Sequence, residues 1–176
     1  MVRILFISVV LAGFGLAVYL YFYLGGYKPV DIAVEKRGPQ ILLYKNHVGA
    51  YHEIGPTIQA VESWALAQHL LCPTTFGEYL DNPESVDQDR LRSRGGCVLT
   101  KKPEQVPPDW TVEERPSRRF VVAHFTGSPS IGPFKVYPKV KKYLAENRLT
   151  SSEATMELYM VNGSSVMTEY LFQLAQ

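Results

Sequence analysis

The N-terminal run of apolar residues constrains this chain more than any other feature. Residues 4–24 read ILFISVVLAGFGLAVYLYFYL, a stretch of 21 residues without a charged side chain. As an α-helix the run would be about 31 Å long, close to the hydrocarbon thickness of a bilayer. Aromatic side chains crowd its C-terminal end, as is typical of the headgroup region: Tyr19, Tyr21, Phe22, Tyr23 and Tyr27. The run predicts a single membrane-spanning helix.

A cleaved signal peptide is the alternative interpretation, since Arg3 supplies a basic n-region. The run exceeds the roughly 7 to 15 residues of an h-region, however, and bulky Tyr and Phe side chains stand where cleavage needs small ones. We therefore expect a retained anchor at residues 1–27 and a domain at residues 28–176. The larger group of flanking cations, on the domain side of the span, slightly favours a domain that faces the cytosol.

The charges of the chain nearly cancel. Lys and Arg number 18 against 17 Asp and Glu, a formal net charge of +1. Such a chain lacks a basic footprint for nucleic acid, so we expect no nucleic-acid partner. His47, His52 and Glu53 lack the HExxH spacing, and neither a phosphate-binding glycine loop nor a G-x-S-x-G elbow occurs. We expect neither a bound metal nor a cofactor.

The two cysteines, Cys72 and Cys97, make neither a disulfide framework nor a metal site, because no CxxC pair or Cys/His group accompanies them. A single disulfide between them stays open at this point. Two buried thiols are the favoured interpretation.

The remainder of the chain carries the same order of elements twice. QILLYKNHVGAYHEIGPTIQAV (40–61) and RRFVVAHFTGSPSIGPFKVYPKV (118–140) each contain a β-prone run, a glycine and an Ile-Gly-Pro. Proline suits the first turn of a helix, so each Ile-Gly-Pro predicts a helix start. Two β-prone runs follow each helix, at 75–81 and 95–100 and at 154–161 and 165–174. The Asn-Gly-Ser at 162–164 predicts a tight hairpin, and its glycosylation sequon is taken as incidental.

This order predicts an α+β fold in which a duplicated strand-helix-strand-strand domain follows the transmembrane helix. Repeat one would cover about residues 28–100, an exposed connector residues 101–116, and repeat two residues 117–176. Neither unit could bury a helix and a sheet face alone, so we expect a pseudo-twofold arrangement. The helices would cover one face of the sheet. The other face, at the seam between the copies, would be concave and partly open to a ligand.

The strand MELYM (156–160) offers the polar group for such a site. Its alternation places Glu157 and Tyr159 on one face, which we assign to the side away from the helices. Aligning Tyr79 with Tyr159 makes Gly77 the counterpart of Glu157, so one copy offers a carboxylate and the other offers space. The candidate ligand-binding residues are Glu157, Tyr159, Gly77, Tyr79, Trp64, Tyr137 and Tyr170.

An acid among aromatic rings suits a cationic ligand. Desolvation would also make Glu157 a candidate general acid or base, which would be its catalytic role if the chain were an enzyme. A solvated glutamate beside tyrosines that merely cover the sheet is the alternative.

Four segments carry a resemblance to a known family: HVGAYHEI (47–54), EYLDNPESVDQDRLRSRGGCVL (78–99), KVYPKVKKYLAENRL (135–149) and MELYM (156–160). Over residues 28–174 the chain resembles the GyrI-like small-molecule-binding family. With its anchor, it is similar to the membrane-anchored branch of that family, the testis-expressed ER-phagy receptor and its relatives. The resemblance implies the duplicated fold and a central glutamate, here Glu157, that contacts cationic ligands. It also implies an enzyme alternative, because some similar proteins hydrolyse strained cyclopropane compounds with a glutamate among aromatic neighbours.

The chain departs from that receptor after its last predicted strand, where it stops at Gln176 without an acidic tail, so we expect no role in ER-phagy. The leading hypothesis is a membrane-anchored module that binds a small amphipathic or cationic ligand, or a protein partner, at the seam. A hydrolase of small electrophilic compounds that depends on Glu157 is one alternative. An interaction protein whose seam is filled by its own side chains is another. An enzyme is the less favoured of these readings.

Overall fold

The computed structural model describes residues 2–163 and 165–175. Helix α1 (Val2–Tyr23) buries none of its side chains against the rest of the protein. By length and composition alone it is able to cross a membrane. The described remainder forms the predicted α+β domain, in which an antiparallel sheet carries two helices.

The domain follows the predicted order of elements. Strands β1 to β8 and helices α2 and α3 have these bounds in chain order: β1 Asp31–Arg37, β2 Gln40–Val48, α2 Gly55–Ala67, β3 Thr74–Tyr79, β4 Arg92–Leu99, β5 Trp110–Arg115, β6 Arg118–Phe125, α3 Gly132–Glu146, β7 Ser151–Asn162 and β8 Ser165–Leu174. The sequence strand-helix-strand-strand therefore runs from β2 to β4 and again from β6 to β8. The duplication itself stays a prediction.

Both helices start at the Ile-Gly-Pro motifs, as predicted. In each, proline occupies one of the first two helical positions, where its missing N–H has no intrahelical acceptor. Helix α2 buries Val61 and Ala65, and α3 buries Val136 and Val140. Helix α3 continues through Pro138, although proline removes one hydrogen bond from a helix interior.

The eight strands form one sheet in the order β1-β6-β8-β7-β3-β4-β2-β5. Strands β3 and β7 pair at its centre and join the two halves, with Gly77 opposite Glu157. In the second half, β7 and β8 form the predicted hairpin: Asn162 pairs with Ser165, and Gly163 has a φ of +61°, which favours glycine. Ser164, which completes the predicted turn and the sequon, lies outside the described residues.

The sheet curls until its two ends approach each other. Strand β1 at one edge passes through Gly38 into β2 near the other edge, while edge strand β5 passes through Ser117 into β6. The two links touch, since a Cβ on Gly38 would lie 3.1 Å from the Ser117 Cα. The curled inner face closes over an apolar core from five strands: Leu42, Tyr44, Phe76, Phe120, Val122, Met156, Leu158 and Leu171.

The helices cover the outer face in two separate clusters. Helix α2 packs on β2 and β4, where Leu43 and Cys97 are fully buried. Helix α3 packs on β6 and β8, against Val121, Tyr170 and Phe172. Between these two clusters, on the outer face, lie β3 and β7, the paired strands that join the two halves of the sheet.

The predicted connector at 101–116 is wrong over its last third. Residues Trp110–Arg115 form edge strand β5, which pairs with β2. The side chain of Trp110 packs edge-on against Trp64 of α2, with ring centroids 5.4 Å apart and an interplanar angle of 63°. An edge strand with one exposed side has a weak apolar pattern, and only its partner β2 reveals it.

The preference for two buried thiols is also corrected. Cys72 and Cys97 form a disulfide with Cα atoms 5.5 Å apart. The two residues are 25 positions apart in sequence, and the pairing of β3, which begins two residues after Cys72, with β4 brings them together. Local spacing could not show this proximity.

The segment after α1 is fixed to the domain by backbone contacts. The Leu24 carbonyl accepts a hydrogen bond from the Ser128 N–H at 2.8 Å. The ammonium of Lys135, in the first turn of α3, donates to the carbonyls of Gly26 and Lys28. The end of α1 is thereby fastened to the start of α3.

Candidate functional site

Glu157 lies in the middle of β7, at the centre of the sheet. Its cross-strand neighbours are Gly77 on β3 and Tyr170 on β8. Cross-strand neighbours share a face of the sheet, and Tyr170 packs against α3. Glu157 therefore faces the helices, and our assignment to the opposite side is wrong. The alternation was read correctly, but the Met and Leu side chains of β7 fill the curled inner face instead of the helix interface.

Two tyrosine hydroxyls hold the Glu157 carboxyl group. Tyr137, from α3, donates to Oε1 at 3.2 Å, and Tyr159, two residues along β7, donates to Oε2 at 3.0 Å. The Tyr159 hydroxyl lies a further 2.9 Å from the hydroxyl of Tyr79 on β3. The result is a chain of hydrogen bonds from α3 through the carboxyl group to the other half of the sheet.

Burial dominates the electrostatics of this group. Glu157 is only 4% exposed, and desolvation raises its pKa to about 7, although the hydrogen bonds from Tyr159 and Tyr137 act in the opposite direction. Burial and the nearby Glu157 charge likewise raise the pKa of Tyr79, so that its hydroxyl stays protonated. In the described part of the chain, no cation neutralises this carboxylate. Near neutral pH the group is balanced between its acid and its anion.

The space expected above Gly77 is occupied. A Cβ on Gly77 would lie 3.0 Å from the Tyr79 hydroxyl oxygen and 3.4 Å from that of Tyr159. Any side chain here would press on both hydroxyls, so the glycine leaves room for the tyrosines themselves. A ligand reaches Glu157 only when at least one of these rings moves.

Tyr51 is a member of the site that the sequence analysis did not select. Its ring packs on that of Tyr79 with centroids 4.7 Å apart. Its hydroxyl donates to the Asp81 carbonyl at 2.7 Å and accepts from the Asp81 N–H at 2.9 Å. Asp81 is paired in turn with Arg92 at 2.6 Å. Tyr51 lies within the HVGAYHEI segment that carries the family resemblance. That segment was the one feature of the sequence from which Tyr51 could have been selected.

The remaining predicted residues divide between two places. The ring of Tyr170 is fully buried and meets Tyr137 edge-on at 6.1 Å, so it belongs to the wall of the site. A Cβ on Gly132 would lie 1.8 Å from the Tyr170 hydroxyl oxygen, so only glycine fits at this point of α3. Trp64 is in the separate cluster under α2 with Trp110, away from the tyrosines. The structure therefore does not bring Trp64 to Glu157.

Within 2–163 and 165–175, no three His, Cys, Asp or Glu side chains are grouped so as to hold a metal ion. The carboxyl group and its phenols are able to bind a cation or a hydrogen-bond donor, or to transfer a proton.

Solved structures of EcmrR and SAV2435 have the same fold. The EcmrR–DNA complex has a TM-score of 0.66 at 14% identity, covering 99% of this chain and 70% of EcmrR. The EcmrR C-terminal domain alone gives 0.63 at 13% identity, covering 85% of this chain and 99% of the domain. SAV2435 bound to tetraphenylphosphonium gives 0.56 at 11% identity, covering 82% and 94%. At these identities the likeness concerns the fold alone.

Sequence comparison points to one family. No curated protein matches the chain in sequence. The family model described as the GyrI-like small molecule binding domain matches residues 31–175, which is nearly all of the chain after α1. The matched region contains Glu157 and all five tyrosines of the site, and the chain belongs to the GyrI-like small-molecule-binding domain family.

Proposed function

We propose that this protein is a membrane-anchored binding module in which Glu157 is the polar anchor for a small amphipathic cation. The observation that carries the proposal is a carboxyl group that is 4% exposed, held by two phenols and not neutralised by a cation of the described chain. Burying a carboxylate without a cation is costly. A bound cation with an apolar body would supply the missing charge, while the ring faces would stabilise it further.

Access requires that Tyr79 moves. Its hydroxyl is the atom nearest to a Cβ on Gly77, and Tyr51 packs on the same ring from the segment before α2. A flat or bulky apolar ligand could displace both rings and replace their mutual contact with its own. Gly77 then offers the space beside the carboxylate that the tyrosines occupy in the free protein.

Tetraphenylphosphonium is the probe of choice, because it is the cation bound to SAV2435, which shares the fold. We would measure its effect on thermal unfolding of the full-length chain in neutral detergent micelles at pH 8, with wild type and Glu157→Gln. Glu153→Gln removes the same charge from an exposed position of β7 and serves as the matched control. We expect a concentration-dependent stabilisation of wild type and Glu153→Gln that is lost in Glu157→Gln. Equal stabilisation of all three would refute the role of Glu157.

The pH dependence of binding gives a second test. With a pKa of about 7, Glu157 is about one-tenth ionised at pH 6 and about nine-tenths ionised at pH 8. A cation that requires the anion should bind about tenfold more tightly at pH 8 than at pH 6. Affinity that is constant over this range would show that the charge of Glu157 does not contribute.

A hydrolase is the second candidate. The observation that favours it is the Glu157 pKa of about 7, because a general acid or base works best when its pKa lies near the operating pH. Turnover of strained electrophilic substrates that disappears in Glu157→Gln would support this function. Saturable binding without product formation would count against it.

A protein-binding role is the third candidate, favoured by the tyrosines that fill the space above Gly77 in the structure. Under this function the hydrogen-bonded phenols stabilise the domain, and small cations do not bind. Failure of tetraphenylphosphonium and related aromatic cations to stabilise the wild-type chain would support it over the leading proposal.

The membrane anchor is proposed from α1 and from the surface next to it. Tyr27 and Phe134, both close to the end of α1, are 57% and 81% exposed, as is expected of aromatic side chains that contact headgroups. Retention in the membrane fraction after carbonate extraction tests the anchor. Release of a shortened chain would instead indicate a cleaved signal peptide.

The cytosolic side is proposed from the cations that follow the span, Lys28, Lys36 and Arg37. The Cys72–Cys97 disulfide argues for the opposite side, because cytosolic thiols are kept reduced. Alkylation of intact, rapidly quenched cells decides between them: free thiols at both positions agree with the cytosol, and a persistent disulfide would overturn that assignment.

A further inference from the structure

A second concave surface lies at the far end of the domain, away from Glu157. A cavity of about 540 Å³ opens between the ends of β1, β8 and α3 and the start of β6. Its volume is within the range of small-molecule sites. Its floor is apolar, formed by Leu149 and Leu174, and its rim is basic. The cations that line it are Lys36, Arg118, Arg119 and Arg148, and no acidic side chain lines it among the described residues.

The register of the sheet brings two of these cations together. Lys36 on β1 is the direct cross-strand partner of Arg119 on β6. Like charges in this position destabilise a sheet. In the described chain, the ion pairs engage other cations, such as Arg37 with Glu35 and Lys142 with Glu146, and none neutralises Lys36, Arg119 or Arg148. The pair therefore stands as an unbalanced positive centre.

Arg148 completes this centre at a conformational cost. It follows the end of α3 with a φ of +53°, the left-handed region that glycine adopts without strain and that other residues rarely occupy. Its exposed side chain lines the same cavity. An arginine in a position suited to glycine is consistent with a role for its guanidinium group.

We propose that this cavity binds the phosphate group of a soluble ligand through Lys36, Arg119 and Arg148. Arginine and lysine supply charge-assisted hydrogen bonds to phosphate oxygens. The hydroxyls of Ser117 and Thr150 line the same wall as further donors. The apolar floor suits the less polar part of the ligand that carries the phosphate.

The position of the cavity favours a soluble ligand over a lipid of the anchoring bilayer. Strand β1 starts next to the segment that follows α1, and Lys36 is five residues further along the strand. At about 3.4 Å per residue this separation is roughly 17 Å, directed away from α1. None of the described residues that line the cavity contacts Glu157.

Inorganic pyrophosphate is a suitable probe, measured by calorimetry or phosphorus NMR with the full-length chain in neutral micelles. Arg148→Gly and Arg119→Gln remove two of the cations, and Lys141→Gln, on the exposed surface of α3, removes the same charge elsewhere. We expect each of the first two variants to weaken binding at least tenfold, and Lys141→Gln to bind within about twofold of wild type. Glu157→Gln should bind pyrophosphate normally.

The thermal unfolding of Arg148→Gly separates binding from folding. Because glycine fits the left-handed position, this variant should be as stable as wild type or more so while binding is lost. Three results would overturn the proposal: no binding of millimolar pyrophosphate, equal weakening by Lys141→Gln, or binding to vesicles of anionic lipid without binding of pyrophosphate. The last would identify a membrane-contact surface instead.

Discussion

Two buried glutamates on neighbouring strands meet opposite electrostatic surroundings. Glu78 on β3 is 7% exposed and points to the curled inner side, where Arg115 lies 2.8 Å and Arg94 3.1 Å from its carboxylate. Glu157 on β7 is 4% exposed, points to the helices, and has two tyrosine hydroxyls as its partners. The two residues are one register position apart in the paired strands. The same pair of strands thus carries a neutralised carboxylate on one face of the sheet and an unneutralised one on the other.

Under the proposed function, this difference separates a structural carboxylate from the one that would bind the ligand. Around Glu78 the charges are matched within the chain, because Glu113 also pairs with Arg115 at 3.0 Å and Tyr44 lies under Arg94. An external cation would gain little there. Around Glu157 the stabilising groups are neutral phenols, so the charge of the anion remains unmatched. The predictions below test this contrast.

The largest expected effect is that of Glu78→Gln. This substitution leaves Arg115, whose side chain is 12% exposed, with one carboxylate instead of two. We expect the free energy of unfolding to fall by about 4 kcal/mol, since breaking a buried ion pair costs about 3 to 5 kcal/mol. Urea unfolding of the full-length chain at pH 8 measures it.

The matched change is Glu157→Gln under the same conditions. It removes a desolvated charge that has no cation, so the free energy of unfolding should stay within about 1 kcal/mol of wild type or increase. If the two substitutions destabilise the protein equally, the contrast between the carboxylates is not electrostatic in origin.

The next effect is a pH dependence that belongs to Glu157. Its pKa rises from 4.5 to about 7 on folding, so between these values the folded protein holds a proton that the unfolded chain has released. Stability must therefore fall as pH rises through this window and level off above it. The difference amounts to about 3 kcal/mol at 1.36 kcal/mol per unit. The measurement is the change of unfolding free energy across this pH window, taken for wild type and for Glu157→Gln. Equal changes in the two proteins would contradict the raised pKa.

The smallest effect concerns the phenols. Tyr159→Phe deletes the hydroxyl that donates to Oε2 and contacts Tyr79. Because this bond stabilises the anion, its loss should raise the pKa of Glu157 further and lower stability at pH 8 by about 1 kcal/mol. A carbon-13 NMR titration of labelled glutamate carboxyl groups reports the pKa. Tyr143→Phe, on α3 but outside the hydrogen-bonded chain, is the control and should leave it unchanged.

The elements of this fold were predictable because their signals are local. The uncharged run at 4–24 predicts α1, and the two Ile-Gly-Pro motifs start α2 and α3. The alternation along β7 shows that Glu157 and Met156 point to opposite faces of the sheet. These patterns depend on neighbours within a turn or a strand, where the backbone geometry is fixed.

The features that sequence could not supply depend on the curl of the sheet. We assumed that the apolar side of β7 meets the helices, but the curl buries the inner side as well, so both sides of the strand are inside the protein. Strand β5 likewise forms only beside β2, and the Cys72–Cys97 contact arises only when β3 pairs with β4. Trp64, chosen for its aromatic ring, lies instead in the cluster with Trp110, because α2 alone does not show which strands each of its faces meets.

The contact between Lys135 and the backbone after α1 has a consequence for how a ligand arrives. Lys135 and Tyr137 are in the first two turns of α3, so the residue that fastens the anchor and the residue that holds Glu157 are next-but-one neighbours. With α1 in a bilayer, as proposed, the phenol would stand within a few helical residues of the headgroups. An amphipathic cation concentrates in that layer, so the site would bind it from the membrane and not from the aqueous phase. The occupancy of the site would then depend more on the membrane–water partition coefficient of the compound than on its concentration in water.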